Sequence, residues 1–119
     1  MTESPLAFDT VLELCGHEHR RIILGALEAA QRSLTVNDLG NTILIYNHHT
    51  PVREASEEAV TGIRSSLHHI HIPKLASAGV IEYDSKLHLV KPTQQFDQLQ
   101  PHLSAILETD PNLEEPIEC

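Results

Sequence analysis

Between His68 and Asp84 the chain holds a helical pattern, a proline, a glycine and an alternating pattern in that order, and few folds accommodate this succession. Val60, Ile63, Leu67, His71, Leu75 and Ala78 recur at three- and four-residue spacing, which places them on one broad face of a helix over residues 56–78. Ser56 supplies an N-cap, and Glu57 and Glu58 put negative charge at the positive end of the helix dipole. Pro73 removes one helical hydrogen bond, so a bend or a tightened turn is expected there, and Gly79 suits a left-handed C-cap. Residues 80–83 and 86–90 then alternate as two strands, with Asp84 and Ser85 as the turn.

The flanking segments read as helices. Ser4 and Pro5 resemble the opening of a first helix, with Leu6, Val11, Leu12 and Leu14 as its apolar face and Gly16 as its end. A second helix starts near Glu18, carries Ile22, Ile23, Ala26, Leu27 and Ala30 as a core-facing stripe, and stops near Gln31. Thr35 with Asp38 three residues on fits a capped start for a short third helix bearing Leu39, Ile43, Leu44 and Tyr46. Residues 47–55 lack a period and read as a loop. Near the carboxyl end, Phe96, Leu99, Leu103, Ile106 and Leu107 trace a stripe through a fifth helix, which Pro101 either bends or divides. The expected fold is mainly α with a small β-hairpin, a winged helix-turn-helix of about five helices and a two-stranded wing over residues 1–109. An acidic tail over residues 110–119 is expected to be disordered.

At 119 residues the chain is sized for one domain. No run approaches the ~18 apolar residues that cross a bilayer, and no secretory signal opens the chain, so a cytoplasmic protein without membrane contact is expected. Two cysteines, Cys15 and Cys119, make neither a disulfide framework nor a zinc-ligand spacing. With 17 acidic against 8 basic side chains the net charge is −9, which repels a polyanion such as DNA. Nine histidines add positive charge at low pH, and an acid-rich chain with three lysines suits a cytoplasm at molar salt, where the screening length falls to about 3 Å.

The exposed face of the 56–78 helix is expected to carry Thr61, Gly62, Ser65, Ser66 and His69, with Arg64 and His68 on its flank. Small, hydroxylated and imidazole side chains permit close approach to base edges. Candidate DNA contacts are therefore Arg53, Thr61, Arg64, Ser65, Ser66, His68, His69, Lys86 and His88, with Arg64 alternatively paired to a nearby acid. Leu6, Val11, Phe96, Leu99, Leu103, Ile106 and Leu107, on apolar helices at both ends, are candidates for a symmetric homodimer contact.

Histidine pairs at His17/His19, His48/His49 and His68/His71 raise a metal-responsive module as an alternative. The chain has no His-Glu-x-x-His pattern, and His71 falls at the centre of an apolar face, where a core role is expected; no metal site and no cofactor are assigned. Glycine-rich phosphate loops and nucleophile elbows are absent from the sequence, so no enzyme is expected. A protein-docking module is the remaining alternative, and net acidity suits it.

Leu14-Cys15-Gly16-His17-Glu18-His19-Arg20-Arg21-Ile22-Ile23-Leu24 and residues 66–84 resemble small archaeal winged-helix regulators related to the ArsR, MarR and PadR types, especially haloarchaeal proteins in which a helix ends His-Leu-Pro-Lys-Leu. The resemblance implies a dimeric DNA-binding transcription regulator whose second motif helix enters the major groove. Residues 35–46 would be the supporting helix and residues 56–78 the recognition helix, with Lys86 and His88 in the wing. Arg20 and Arg21 would match a basic pair of structural or phosphate-binding role. Stress response is a use such regulators serve; the effector, small molecule or metal, is not legible. The chain departs from simpler members in a loop of about nine residues where a three- or four-residue turn is usual, and in the low basicity of the reading face.

Overall fold

The densest apolar run, Ile22-Ile23-Leu24, lies on α2 (Glu18–Ala30), where every turn from Ile22 to Leu27 is buried and the helix becomes the axis of the core. Each fully buried leucine or isoleucine contributes about 1.5–3 kcal/mol of apolar transfer, so this helix organises the elements around it. The computed structural model describes residues 6–47, 49–111 and 113. Ahead of α2 stands α1 (Phe8–Leu14); after it come the two-residue strand β1 (Leu34–Thr35) and α3 (Val36–Tyr46). A 3-10 turn at Val52–Glu54 leads into α4 (Glu57–Ser66), a π-helical segment at Leu67–His71 and α5 (Ile72–Ser77). Strands β2 (Ile81–Asp84) and β3 (Leu89–Pro92), a 3-10 turn at Gln94–Gln98 and α6 (Gln100–Thr109) complete the chain. Among the described residues, no helix is long and apolar enough to cross a membrane.

The protein is mainly α with a small antiparallel sheet, as expected, but the sheet has three strands in the order β1-β3-β2, not two. Leu34 pairs with Val90, which also faces Tyr83 on the other side, so β1 closes the edge that a lone hairpin would leave open. A two-residue strand is too short to leave a periodic signal. Thr35 at once starts α3 through a complete capping box: its side chain accepts from the Asp38 amide at 3.0 Å, and Asp38 Oδ2 accepts from the Thr35 amide at 3.1 Å.

The helix expected over residues 56–78 forms, opened by Ser56 Oγ accepting from the Ala59 amide at 3.1 Å. At Pro73 it widens, where a bend or a tightened turn was expected. Proline has no amide for the carbonyl of residue 69, and the ladder shifts so that Ile72 donates to Leu67, five residues back. The far end closes in a Schellman motif, with Gly79 at φ 82°, its amide on the Ala76 carbonyl and the Val80 amide on the Leu75 carbonyl.

Several local expectations are corrected. Asp84 Oδ1 captures the amides of Lys86 and Leu87 at 3.0 and 3.2 Å, so residues 85–88 form the hairpin turn and the second strand starts at Leu89 instead of Lys86. Ser4 and Pro5 lie outside the described residues; α1 runs from Phe8 to Leu14, and Leu12, expected on its apolar face, is 50% exposed. Phe96 belongs to the 3-10 turn, and Pro101 sits in the first turn of a separate α6. Asp110 is not part of a free tail: it is buried and bonded to Arg21 at 2.7 Å.

The dimer stripe is also redirected. Val11, Phe96, Leu99 and Leu103 are at most 3% exposed within the chain's own core, where α6 packs on α2, so they have no surface to offer a partner. Leu6, Ile106 and Leu107 are partly buried against that same core. The large apolar side chains left exposed on α1 are Phe8 and Leu12.

Candidate functional site

Two places in the fold gather residues able to do chemistry or make contacts, and the 57–77 helix contributes to both. On its outer face Thr61 and Ser65 stand one turn apart and exposed, followed by exposed His68 and His69 at the wide turn; Ser66 is half-buried. The His68 ring meets Tyr83 of β2 at 6.1 Å and His88 of the hairpin turn at 6.3 Å between centroids, both edge to face. Tyr83 Oη and His88 Nδ1 approach to 3.3 Å. The helix and the hairpin are thereby joined into one polar surface; the hairpin beside it carries a shallow hollow lined by Glu82, Tyr83, Asp84, Ser85, Lys86 and Lys91, acids and bases together.

The remaining predicted contacts are exposed side chains, not all of them at this surface. Arg64 is exposed, and its Nη2 donates to Asn37 Oδ1 at 2.6 Å; the partner is an amide oxygen on α3, not the acid considered from the sequence. Lys86 and His88 are exposed in the turn, with His88 held at φ 51°. Arg53 is exposed on the 3-10 turn ahead of α4, apart from the helix–hairpin junction. Glu57 and Glu58, exposed on the first turn of α4, give the amino-terminal end of this face negative charge. Tyr83 was missed in the sequence, where its only signal was a place in an alternating strand.

The second place is internal. His71, buried as expected, does not pair with His68, which points outward; instead it meets His17 at 4.5 Å and His19 at 5.7 Å between ring centroids. One nitrogen from each of the three rings lies within 4.8 Å of the others, an arrangement able to hold a metal ion and one to which the sequence reading assigned no metal. His17 is the N-cap of α2, its Nδ1 accepting from the His19 amide at 3.0 Å. His19 Nε2 lies 2.9 Å from Asn47 Oδ1. Burial above all, then the positive neighbours His17, Arg20 and His19, pushes the His71 pKa down to about 4. Burial and the same kind of neighbours lower that of His17. His48 lies outside the described residues, and His49 is exposed on the loop, away from this cluster.

Arg20 and Arg21 have structural partners. Arg20 Nε donates to the Leu14 carbonyl at 2.8 Å and Nη2 to the Glu13 carbonyl at 3.1 Å, capping the end of α1, while Nη1 lies 3.3 Å from His71 Nδ1. Arg21 Nη1 donates to the Cys15 carbonyl at 2.8 Å. Cys15 is buried, and burial raises its thiol pKa, which leaves it protonated and unreactive at neutral pH.

No match is found among the curated proteins or the solved structures. A family model described as Domain of unknown function (DUF7344) matches residues 12–91, a span that holds both the helix–hairpin surface and the histidine cluster. The chain belongs to that family.

Proposed function

We propose that the protein is a sequence-specific, double-stranded-DNA-binding transcription regulator of winged helix-turn-helix type, acting in the cytoplasm as a homodimer. The observation that carries this reading is the contact of His68 with Tyr83 and His88, which makes the outer face of the 57–77 helix continuous with the hairpin. A helix in the major groove with a hairpin beside it needs such continuity, because one rigid body must meet bases and flanking phosphates together. Thr61, Ser65, His68 and His69 are short or planar and exposed, and they stand as the base-facing set. Arg64 and Lys86 supply phosphate contacts, with Arg53 and His88 at the margins. The exposed Phe8 and Leu12 on α1 offer the homodimer an apolar surface in place of the buried α6 stripe.

The net charge of −9 means that phosphate attraction contributes little and that groove fit, hydroxyl and imidazole contacts carry affinity. The same charge favours a second reading, a docking module for a basic protein partner. A retardation assay with a duplex selected from a random pool, run at rising KCl, separates them. The regulator reading expects preference for the selected duplex to persist as nonspecific binding falls away with salt; equal retention of random duplex at every salt concentration contradicts it.

A further inference from the structure

We propose that His17, His19 and His71 form a binding site for one divalent transition-metal ion of the zinc, cobalt or nickel class. The chemistry rests on three imidazoles drawn from two elements that are distant in sequence, the opening of α2 and the wide turn that ends at His71. One nitrogen per ring falls within 4.8 Å of the others, and tetrahedral zinc holds its nitrogen ligands about 3.3 Å apart, so the rings close by about 1.5 Å at the widest pair. His17 is exposed and can make that movement by a side-chain rotation, whereas His71 is fixed in the core.

The wide turn is the second observation. A π-helical segment leaves its register offset from the helix on either side, and such segments recur where a helix places a functional side chain. Here the segment ends on His71 and turns its ring toward His17 and His19 rather than toward His68.

The surrounding hydrogen bonds set the tautomers that metal binding must change. His17 Nδ1 accepts from the His19 amide, and His71 Nδ1 faces the Arg20 guanidinium, so Nε2 of both rings carries the proton in the metal-free protein. When a cation takes Nε2, that proton passes to Nδ1, and the N-cap bond and the Arg20 contact are given up. Arg20 stays anchored by its bonds to the Leu14 and Glu13 carbonyls, so the His71 ring turns its Nδ1–H away from Nη1 as the cation binds. Its charge opposes the cation, and Glu18, whose carboxylate acts favourably on a positive His17, offsets part of it. Water completes the coordination.

Occupancy would bridge the start of α2 to the helix that carries Thr61 to His69, but the site itself is independent of DNA binding and is tested without DNA. Zinc chloride titrated into the chelator-treated full chain by calorimetry, with cobalt absorption as the geometric readout, is the experiment. The expected result is one site per chain and intensified visible cobalt bands, with affinity at least about tenfold weaker in His17→Gln and unchanged in His69→Gln, both with wild-type circular dichroism. Absence of a one-to-one site overturns the proposal, and so does equal weakening by the two substitutions, which would mean diffuse binding to surface histidines.

Discussion

Arg20 Nη1 lies 3.3 Å from His71 Nδ1, so the basic side chain that caps the end of α1 also touches the ring that ends the widened segment of the helix. Burial above all, and then the neighbours His17, Arg20 and His19, hold that imidazole neutral, and among the described residues no carboxylate is in hydrogen-bond contact with it.

In the metal-free protein this gives a pH dependence with a definite sign. The His71 pKa is depressed from 6.5 to about 4, so below pH 6.5 the unfolded chain takes up a proton that the native state refuses. Stability is expected to hold above that value and to fall by about 2 kcal/mol by pH 5 and by about 3 kcal/mol as pH nears 4, since one pKa unit is about 1.4 kcal/mol. Urea unfolding with chelator present at pH 7.5 and pH 5 measures it. His71→Gln should flatten the difference; an equal acid loss in that variant would assign the effect elsewhere.

Arg21 Nε donates to Asp110 Oδ2 at 2.7 Å, and the Asp110 side chain is 1% exposed. Asp110→Ala leaves the guanidinium without this carboxylate and frees the end of α6, for an expected loss of about 2 kcal/mol. Chemical denaturation reads it, and a change under a few tenths would show that α6 is held by its apolar stripe alone.

Gly79→Ala should destabilise by about 1–2 kcal/mol, although no atom stands within 4 Å of the added Cβ. The penalty comes from φ 82°, a left-handed conformation that the Schellman stop requires. Thermal unfolding of Gly79→Ala beside Gly62→Ala, a helical position also open in space, separates backbone strain from crowding: the second should be neutral or slightly stabilising.

Arg64→Ala should cost less than about 1 kcal/mol of stability, since the Asn37 contact is exposed, yet, as the loss of a phosphate contact, weaken binding of selected and random duplex alike and lower the salt slope by about 1. Fluorescence anisotropy with labelled selected and random duplexes at rising salt reports the binding. Unchanged affinity would return Arg64 to a purely structural role.

What could be read from the sequence was local. The spacing of Ile22 through Leu27, the Thr35–Asp38 box and the Gly79 stop depend on residues within a few positions of one another, and each forms as its pattern dictates. Register, in contrast, was decided by single side chains: Asp84 took two amides and shortened the second strand, and Pro73 moved the ladder to a five-residue step. The meeting of His71 with His17 and His19 spans more than fifty residues of chain and follows from the tertiary fold, which no spacing rule encodes. The α6 stripe was visible, but an apolar stripe does not state whether its partner is the same chain or another copy.

The central claim concerns the outer face that Thr61, Ser65, His68 and His69 share with the hairpin. Its most direct test is the affinity of wild type and of the Thr61→Glu, Ser65→Glu double variant for a selected duplex and a scrambled one of equal length, by anisotropy at matched salt. Two exposed substitutions should leave the melting temperature near that of wild type. The account predicts a wild-type preference for the selected duplex of about a thousandfold, removed by the double variant; a preference that survives both carboxylates, or equal wild-type affinity for the two duplexes, would contradict it.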